Sequence, residues 1–562
     1  MSPPSPTRQH LMASLIWLAG GGLALVLAWL MPVNLKSVTV PLVERAGYDT
    51  LSLSAAGLRW AQSEKTGPAA LLLRAAENLG DPGSPELKKA LAALMSGHPE
   101  LLAWGGYDPF LEPLLKLRAN QGRTASTPVI EFLVTGEARQ ALRAYLANSR
   151  SLGVQSLLRL RDISGTGRFV PANRAGGQTL DALILVSALL YQGEHLSPPL
   201  QRELRSLVEN ALQKGQLAEL ESVFLNLLSL SRRLDWIQLC ELLRRTEDFK
   251  TVGEYAHLAR VAPDDFALIY AAALFSESSD RVAAYLLLYG KAGLEDLRFS
   301  LRHGQGAARL LLERQLPINR TALIGPGAIA EFGLLYPRLA IIVRWAGFVI
   351  GAFSILRGCD KLLFRAQPGF GPALPHVKSG ILALLLAGLF AIATEPFLLK
   401  GAPLSEFKIR LSIPALATTS IPPNPSNSAS SFTTMDASTL LSIGFFASLQ
   451  IAMYLVCLMK IREIARQSFS PLMKLKLMEN EENLFDGGLY IGIGGTATAL
   501  VLQVLQIIEP NLLAAYSSNL FGITCVALVK IRHVRPFKRT LILEGQVAIE
   551  SAMPKSAPIQ AT

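Results

Sequence analysis

The chain has 562 residues, of which 17% are charged and 50% hydrophobic, and its mean hydropathy is +0.33. An ordinary soluble protein carries about 25% charged residues, so this balance excludes a disordered chain and argues against a wholly soluble enzyme. Four cysteines exclude a disulfide scaffold. The formal charge of +11 is divided unevenly: residues 1–337 hold 34 Lys+Arg against 31 Asp+Glu, and residues 338–562 hold 20 against 12. The basic excess therefore sits in the apolar half, where a membrane protein keeps its cytoplasmic positive charge. Nucleic acid is not an expected partner.

Six apolar stretches cover approximately 11–33, 339–356, 379–399, 438–459, 487–508 and 511–529. Each is long enough to cross a ~30 Å hydrocarbon core as a helix. The first follows Arg8 and His10. It is longer than the apolar run of an ordinary signal peptide, and no A-x-A site closes it, so it reads as a retained anchor. Lys and Arg gather after the second span (Arg357, Lys361, Arg365, Lys378), the fourth (Lys460, Arg462, Arg466, Lys474, Lys476) and the sixth (Lys530, Arg532, Arg535, Lys538, Arg539). Those three segments are thus expected in the cytoplasm, together with both termini. Residues 34–337 and the loop 401–437 are expected outside.

The expected organisation is an N-terminus with anchor helix (1–33), an extracytoplasmic helical domain (34–337), a transmembrane hairpin (338–400), a flexible outer loop (401–437), a transmembrane region (438–535) and a cytoplasmic tail (536–562). The fold class is all-α, a polytopic membrane protein. In the outer domain, helical periodicity recurs and strand signals are few. Short helices are expected over 180–191, 199–213, 216–230, 235–246, 249–261, 265–276, 280–289 and 305–315, separated by Gly193, Gly215, Pro263 and Gly304. The stretch Tyr255–Pro263 resembles the junction of two tetratricopeptide-type helix pairs. No clean 34-residue period runs through the domain, so a solenoid stands as the second reading behind an irregular helical domain. The loop 401–437, with its run of Ser, Thr and Pro, cannot bury a core.

Catalytic and metal signals are sparse. The seven His are scattered at 10, 98, 195, 257, 303, 376 and 533, and none has Cys or carboxylates at ligand spacing. Cys240 has no disulfide partner in the outer domain. No P-loop occurs, and the glycines 492, 494 and 495 lie in an apolar helix rather than a strand–turn–helix. Ser405–Lys408 fits S-x-x-K and Lys65–Gly67 fits K-T-G, but in the reverse order to penicillin-recognising enzymes. The chain therefore reads as a non-enzyme without cofactor or metal. Polar residues inside spans carry more information, because an unpartnered one is costly in lipid. Arg344 and Glu395 lie at similar depth below the outer surface in antiparallel neighbours and are expected to pair. Gln450 is expected to hydrogen-bond between helices, while Thr498 and Gln506 are further polar residues of span five.

Spans five and six form a hairpin. Gly492-Ile493-Gly494-Gly495-Thr496-Ala497-Thr498-Ala499 resembles the G-L-L-G-T-V-x-G pattern of the MotA/TolQ/ExbB proton-channel family, with Gly492, Gly495 and Thr496 matching. Ala514 through Gly522 resembles that family's A-L-x-x-T-x-x-G-L segment, with Asn519 at the channel Thr position. The resemblance covers 438–535. It implies a homo-oligomeric ring, typically five copies, in a bacterial inner membrane, around a single-span partner of the ExbD/TolR/MotB type that brings a membrane Asp. Thr496, Gln503, Ser518, Asn519 and Thr524 are the residues expected along the ion path, and Gly492, Gly495 and Gly522 the residues expected to bring helices together. Two other readings compete. One is a secondary transporter using Arg344 and Glu395, which lacks a visible inverted repeat. The other is a membrane-anchored scaffold whose outer domain binds envelope proteins.

Overall fold

The computed structural model describes residues 6–98, 103–111, 126–133, 135–320, 326–363, 373–398, 407, 437–504 and 512–552. The protein is all-helical, with two strands of two residues each, Val38–Thr39 and Ile318–Asn319, among the described residues. The chain divides into two units: one formed by the first 39 residues and the segments after 318, the other by Val40–Ile318 with the short stretch around Phe407.

The first unit opens with α1, Pro6–Leu30. Its apolar residues face outward: Ile16 is 69% exposed and Leu23 62%. A core helix of a soluble protein would be covered instead, so this surface suits lipid. Among the described residues, Met12–Leu30 and Pro337–Lys361 are each long and apolar enough to cross a membrane.

The second unit is a helical domain with a core of buried aliphatic and aromatic side chains. Its helices include α2 (Gln178–Gln192), α3 (Glu219–Ser231), α4 (Trp236–Leu243), α5 (Phe249–Val261), α6 (Phe266–Ser276) and α7 (Ser279–His303). Helices α2 and α6 are apolar around nearly their whole circumference and are buried almost throughout, the mark of central helices. The expected helix over 280–289 continues to His303 after a break at Gly290, whose φ of 57° and ψ of −133° only glycine adopts without strain. Phe407, from the segment expected to be a flexible loop, is buried in this unit. Its carbonyl accepts a hydrogen bond from His257 Nε2 at 2.9 Å. The rest of 401–437 before Ala437 lies outside the described residues. The unit begins at Val40 and ends at Ile318 rather than spanning 34–337, because residues 34–39 and 319–337 pack with the first unit.

The first unit resumes with α8 (Pro337–Leu363) and α9 (Ala373–Thr394). Helix α8 meets α1 through small residues. A Cβ on Gly21 would come within 2.8 Å of Gly351 O, one on Gly347 within 2.8 Å of Ala28 Cβ, and one on Gly358 within 2.7 Å of Leu18. Gly347-x-x-x-Gly351 is thus a close-approach stripe of the kind that joins helices in membranes. Then follow α10 (Ala437–Arg466), α11 (Pro471–Asn480), α12 (Gly487–Val504), α13 (Leu512–Val529) and α14 (Arg535–Ala552). A π-helical turn, Lys530–Val534, joins α13 to α14. The helical backbone thus runs without a break from Leu512 to Ala552. The expected polar tail is therefore helical as far as Ala552. Met478, Phe485, Val529, Val534 and Leu541 form its core with the end of α10. Lys530 bonds Asp486 at 2.8 Å across that bundle.

Candidate functional site

Three polar assemblies stand out, two in the first unit and one in the second. The first lies between α10, α12 and α13. Gly492 and Gly522 bring α12 and α13 into backbone contact: a Cβ on Gly522 would lie 2.6 Å from Gly488 O, and one on Gly492 3.0 Å from Ser518 O. Gly495 faces Ser518 Oγ at 2.5 Å by the same measure. Ser518 is fully buried there and donates to Gly492 O at 3.4 Å. Thr496 Oγ1 donates to the same carbonyl at 3.0 Å, and Thr524 Oγ1 to Leu520 O at 2.9 Å. Gln450 enters from α10, its Nε2 donating to Gly488 O at 3.1 Å. Two acceptors are left over: Gln450 Oε1 and Asn519 Oδ1 are buried and have no donor among the described residues. The side chains of Thr498 and Gln503 and the whole of Gln506 lie outside the described residues. The geometry therefore gathers Thr496, Ser518, Asn519 and the three glycines at one helix crossing and adds Gln450. Thr524 is on the exposed side.

The second assembly joins the C-terminal ends of α1 and α9 to the N-terminal part of α8. Arg344 and Glu395 do not meet within ion-pair distance. Arg344 Nη1 donates to Val33 O and to Asn34 Oδ1. Glu395 accepts from Leu35 N at 2.9 Å and from Lys36 N. Asn34 Nδ2 donates to Ser37 Oγ at 2.7 Å, and Ser37 Oγ donates to Glu395 at 3.4 Å. The expected pair is thus a relay, cation to amide to hydroxyl to carboxylate, with the strap 33–37 inserted between the charges. The strap's backbone groups would otherwise be unsatisfied, and the two ions satisfy them. Both side chains are almost fully buried. Nothing in the spacing of Arg344 and Glu395 announces a partner some 310 residues earlier in the chain.

The third assembly is buried in the second unit. Asp108 Oδ2 accepts from His195 Nε2 at 2.7 Å and from Trp236 Nε1 at 2.5 Å, and Oδ1 accepts from Phe110 N at 3.0 Å. Arg244 donates to His195 Nδ1 at 2.7 Å, which fixes the ring proton on Nε2. Cys240 completes a group whose ligand atoms lie within 4.8 Å of one another. Burial works to raise the Asp108 carboxyl, but its bonds to His195 and Trp236 more than offset this and hold it below the usual carboxylate value. Burial pushes the Cys240 thiol well up, so it is no ready thiolate. These residues are metal-ligand types that sequence spacing did not bring together. The carboxylate oxygens and ring nitrogens are already committed to protein donors and acceptors, and Arg244 places a positive charge beside them. The cluster is a satisfied core network.

Beside it, Glu241 accepts from Lys65 at 2.7 Å, Arg245 at 2.6 Å and Arg244 at 3.2 Å. Burial favours a raised Glu241 carboxyl, and the Lys65 and Arg245 bonds overcome it, leaving the group lowered. Asp235 opens α4 as a capping box with Gln238. That D-x-x-Q spacing is a readable helix-start signal.

The chain matches no protein-family profile, no characterised protein and no solved structure.

Proposed function

We propose that the chain crosses the membrane six times and that its last three spans work as the MotA/TolQ/ExbB-like member of an ion-driven, energy-transducing complex of the inner membrane. The observation that carries this reading is the pair of unfilled acceptors, Gln450 Oε1 and Asn519 Oδ1, at a close helix crossing. A buried acceptor without a donor costs about 1–3 kcal/mol, and in hydrocarbon no water relieves it. Both atoms are closed off within the single chain, so the reading requires the crossing to open before a protonated carboxyl on a partner helix can donate to them. Tyr490, Tyr516 and Leu520 offer an outward apolar surface for lipid, for further copies or for that partner. The chain brings no acid or base of its own within 487–508 and 511–529, which suits a lining that solvates a partner's acid without trapping a cation.

The test is proton flux in proteoliposomes holding the complex, with its mass measured in the native state. Gln450→Leu and Asn519→Leu are expected to leave assembly intact and to reduce flux at least tenfold. Thr496→Val, whose hydroxyl is spent on Gly492 O, should cost less. Full flux in both leucine variants would end the channel reading.

A second reading, the membrane-anchored scaffold, is favoured by one observation: the hydroxyls of Thr496, Ser518 and Thr524 all serve backbone carbonyls, as packing residues do. Native mass separates the two, since a scaffold needs neither a ring nor a single-span partner.

The topology has its own test. A cysteine introduced at Leu152, 77% exposed on the second unit, is expected to react with an impermeant maleimide from outside intact inner membranes. Reaction only after permeabilisation would invert the proposed orientation.

A further inference from the structure

The second unit neutralises most of its buried or half-buried cations within its own fold. Arg139 and Arg161 share Asp181, Lys65, Arg244 and Arg245 share Glu241, and Arg298 bonds both Asp265 and Glu295. On its surface, four exposed arginines gather at one place without such partners. A cleft of about 510 Å³ between α3, α5 and the loop before α2 is lined by Arg168, Arg232, Arg233 and Arg260, with Asn226 and Ser229 among its neutral walls. No carboxylate lines it, and none of the four arginines has an acidic partner within 4 Å among the described residues. Four like charges around one cavity repel one another, so the arrangement is least costly with an anion between them.

The cleft is held in place by the fold. Glu221, on α3, holds the loop through its carboxylate: its Oε1 accepts from Gly167 N at 3.0 Å, from Arg168 N and from Phe169 N at 3.2 Å. Leu217 N donates to Gly165 O at 2.9 Å and fastens the same loop from its other end. Arg168 is thereby carried on a pinned loop. Arg232 is the C-cap of α3 and Arg233 follows it, while Arg260 stands in the last turn of α5 with its Nε on Ala256 O at 3.3 Å. The volume is that of a small-molecule site, within the range of about 300–1,000 Å³. Guanidinium forks match phosphate oxygens in bidentate pairs.

We propose that this cleft binds a ligand carrying two or more phosphate groups. The charge count favours a multiply phosphorylated anion over a single phosphate, and the neutral Asn226 and Ser229 supply hydrogen bonds to its ester or hydroxyl oxygens. The site is independent of the ion-path reading of the last spans. The same chemistry could reach it as a soluble compound or as the headgroup of a diphosphorylated lipid.

The experiment uses the full chain in phosphatidylcholine nanodiscs. Inorganic pyrophosphate and tripolyphosphate are titrated calorimetrically in one arm, and vesicles with and without cardiolipin are tested for retention in the other. One saturable site per chain is expected in at least one arm. Replacing two guanidiniums together, Arg232→Ser with Arg233→Ser, should weaken it roughly 100-fold. Arg205→Ser, at an exposed ion pair with Glu209 on the helix Pro198–Lys214, should leave it unchanged. Binding in the first arm alone assigns a soluble ligand, and binding in the second alone assigns a headgroup. Saturation in neither arm, or equal binding by the double variant, would overturn the proposal.

Discussion

Arg344→Leu and Glu395→Leu are each expected to lower the stability of the detergent-solubilised protein by about 3–5 kcal/mol, the usual cost of leaving a buried charge uncompensated. Loss of Arg344 strips the donor from Val33 O and Asn34 Oδ1 and leaves the Glu395 carboxylate without a cation nearby. Loss of Glu395 leaves the N–H groups of Leu35 and Lys36 without an acceptor. The double variant removes both charges at once. It retains the unsatisfied strap, so its loss should exceed that of a neutral substitution yet fall well short of the sum. Asn34→Leu cuts the relay while keeping both ions, and is expected to cost about 1–3 kcal/mol. Thermal melting of the four variants checks this. Strictly additive losses would mean that the two charges act independently and that the strap does not couple them.

Much of the helical framework is legible in the sequence because periodicity and breakers act locally. Helix α5 has the bounds expected for it, and α2 and α6 differ by two residues or fewer. Helix α7 runs past its expected end at 289: Gly290 breaks the helical dihedrals, and the residues after it resume the helix and pack back on the core. The glycines 492, 495 and 522 could be read as packing residues from their place in apolar helices, and they do face neighbouring backbone or side chains at the crossing. Gly347-x-x-x-Gly351 carries the same signal in α8. The clamp and the buried Asp108 cluster were not legible. Their members are separated by tens to hundreds of residues, and only the tertiary fold puts Asn34 beside Arg344, or Trp236 and His195 beside Asp108. The cleft arginines were invisible for a further reason. A surface arginine at a helix end is ordinary in sequence, and what marks these four is the absence of carboxylates around one cavity.

Asp235→Asn is expected to remove a pH dependence from the second unit and to stabilise it at neutral pH. Asp235 Oδ1 caps α4 by accepting from Gln238 N at 2.8 Å, while Gln238 Oε1 accepts from Asp235 N at 3.0 Å. The carboxyl is buried, and Oδ2 has no hydrogen-bond partner within normal distance among the described residues. Gly67 and Gly105 close over it so tightly that a Cβ on either would lie 2.3 Å from carboxyl atoms. Burial is the largest influence and pushes its pKa up from 3.8 to about 7, against the Gln238, Ser126 and Ile237 hydrogen bonds that favour the ion. Between about pH 4 and pH 7 the folded protein thus holds a proton that the unfolded chain has released. Stability from this group is full below pH 4, falls as pH rises through that window by about 4 kcal/mol, and is level above it. Asparagine keeps the capping oxygen and is an equally good N-cap, but it cannot ionise. Near pH 4.5 the variant should therefore match the wild type or fall slightly below it, because its amide donors meet the same dry pocket. At pH 8 it should be the more stable by a few kcal/mol. Glu254, also raised by burial, bends the wild-type curve in the same direction, so the informative quantity is the difference between the two proteins. Asp108 and Glu241 lie below the usual carboxylate value and lose their contribution only in more acid solution. Urea unfolding followed by circular dichroism from pH 4.5 to pH 8 measures that difference, and curves that stay parallel would mean that Asp235 is ionised in the fold at every pH tested.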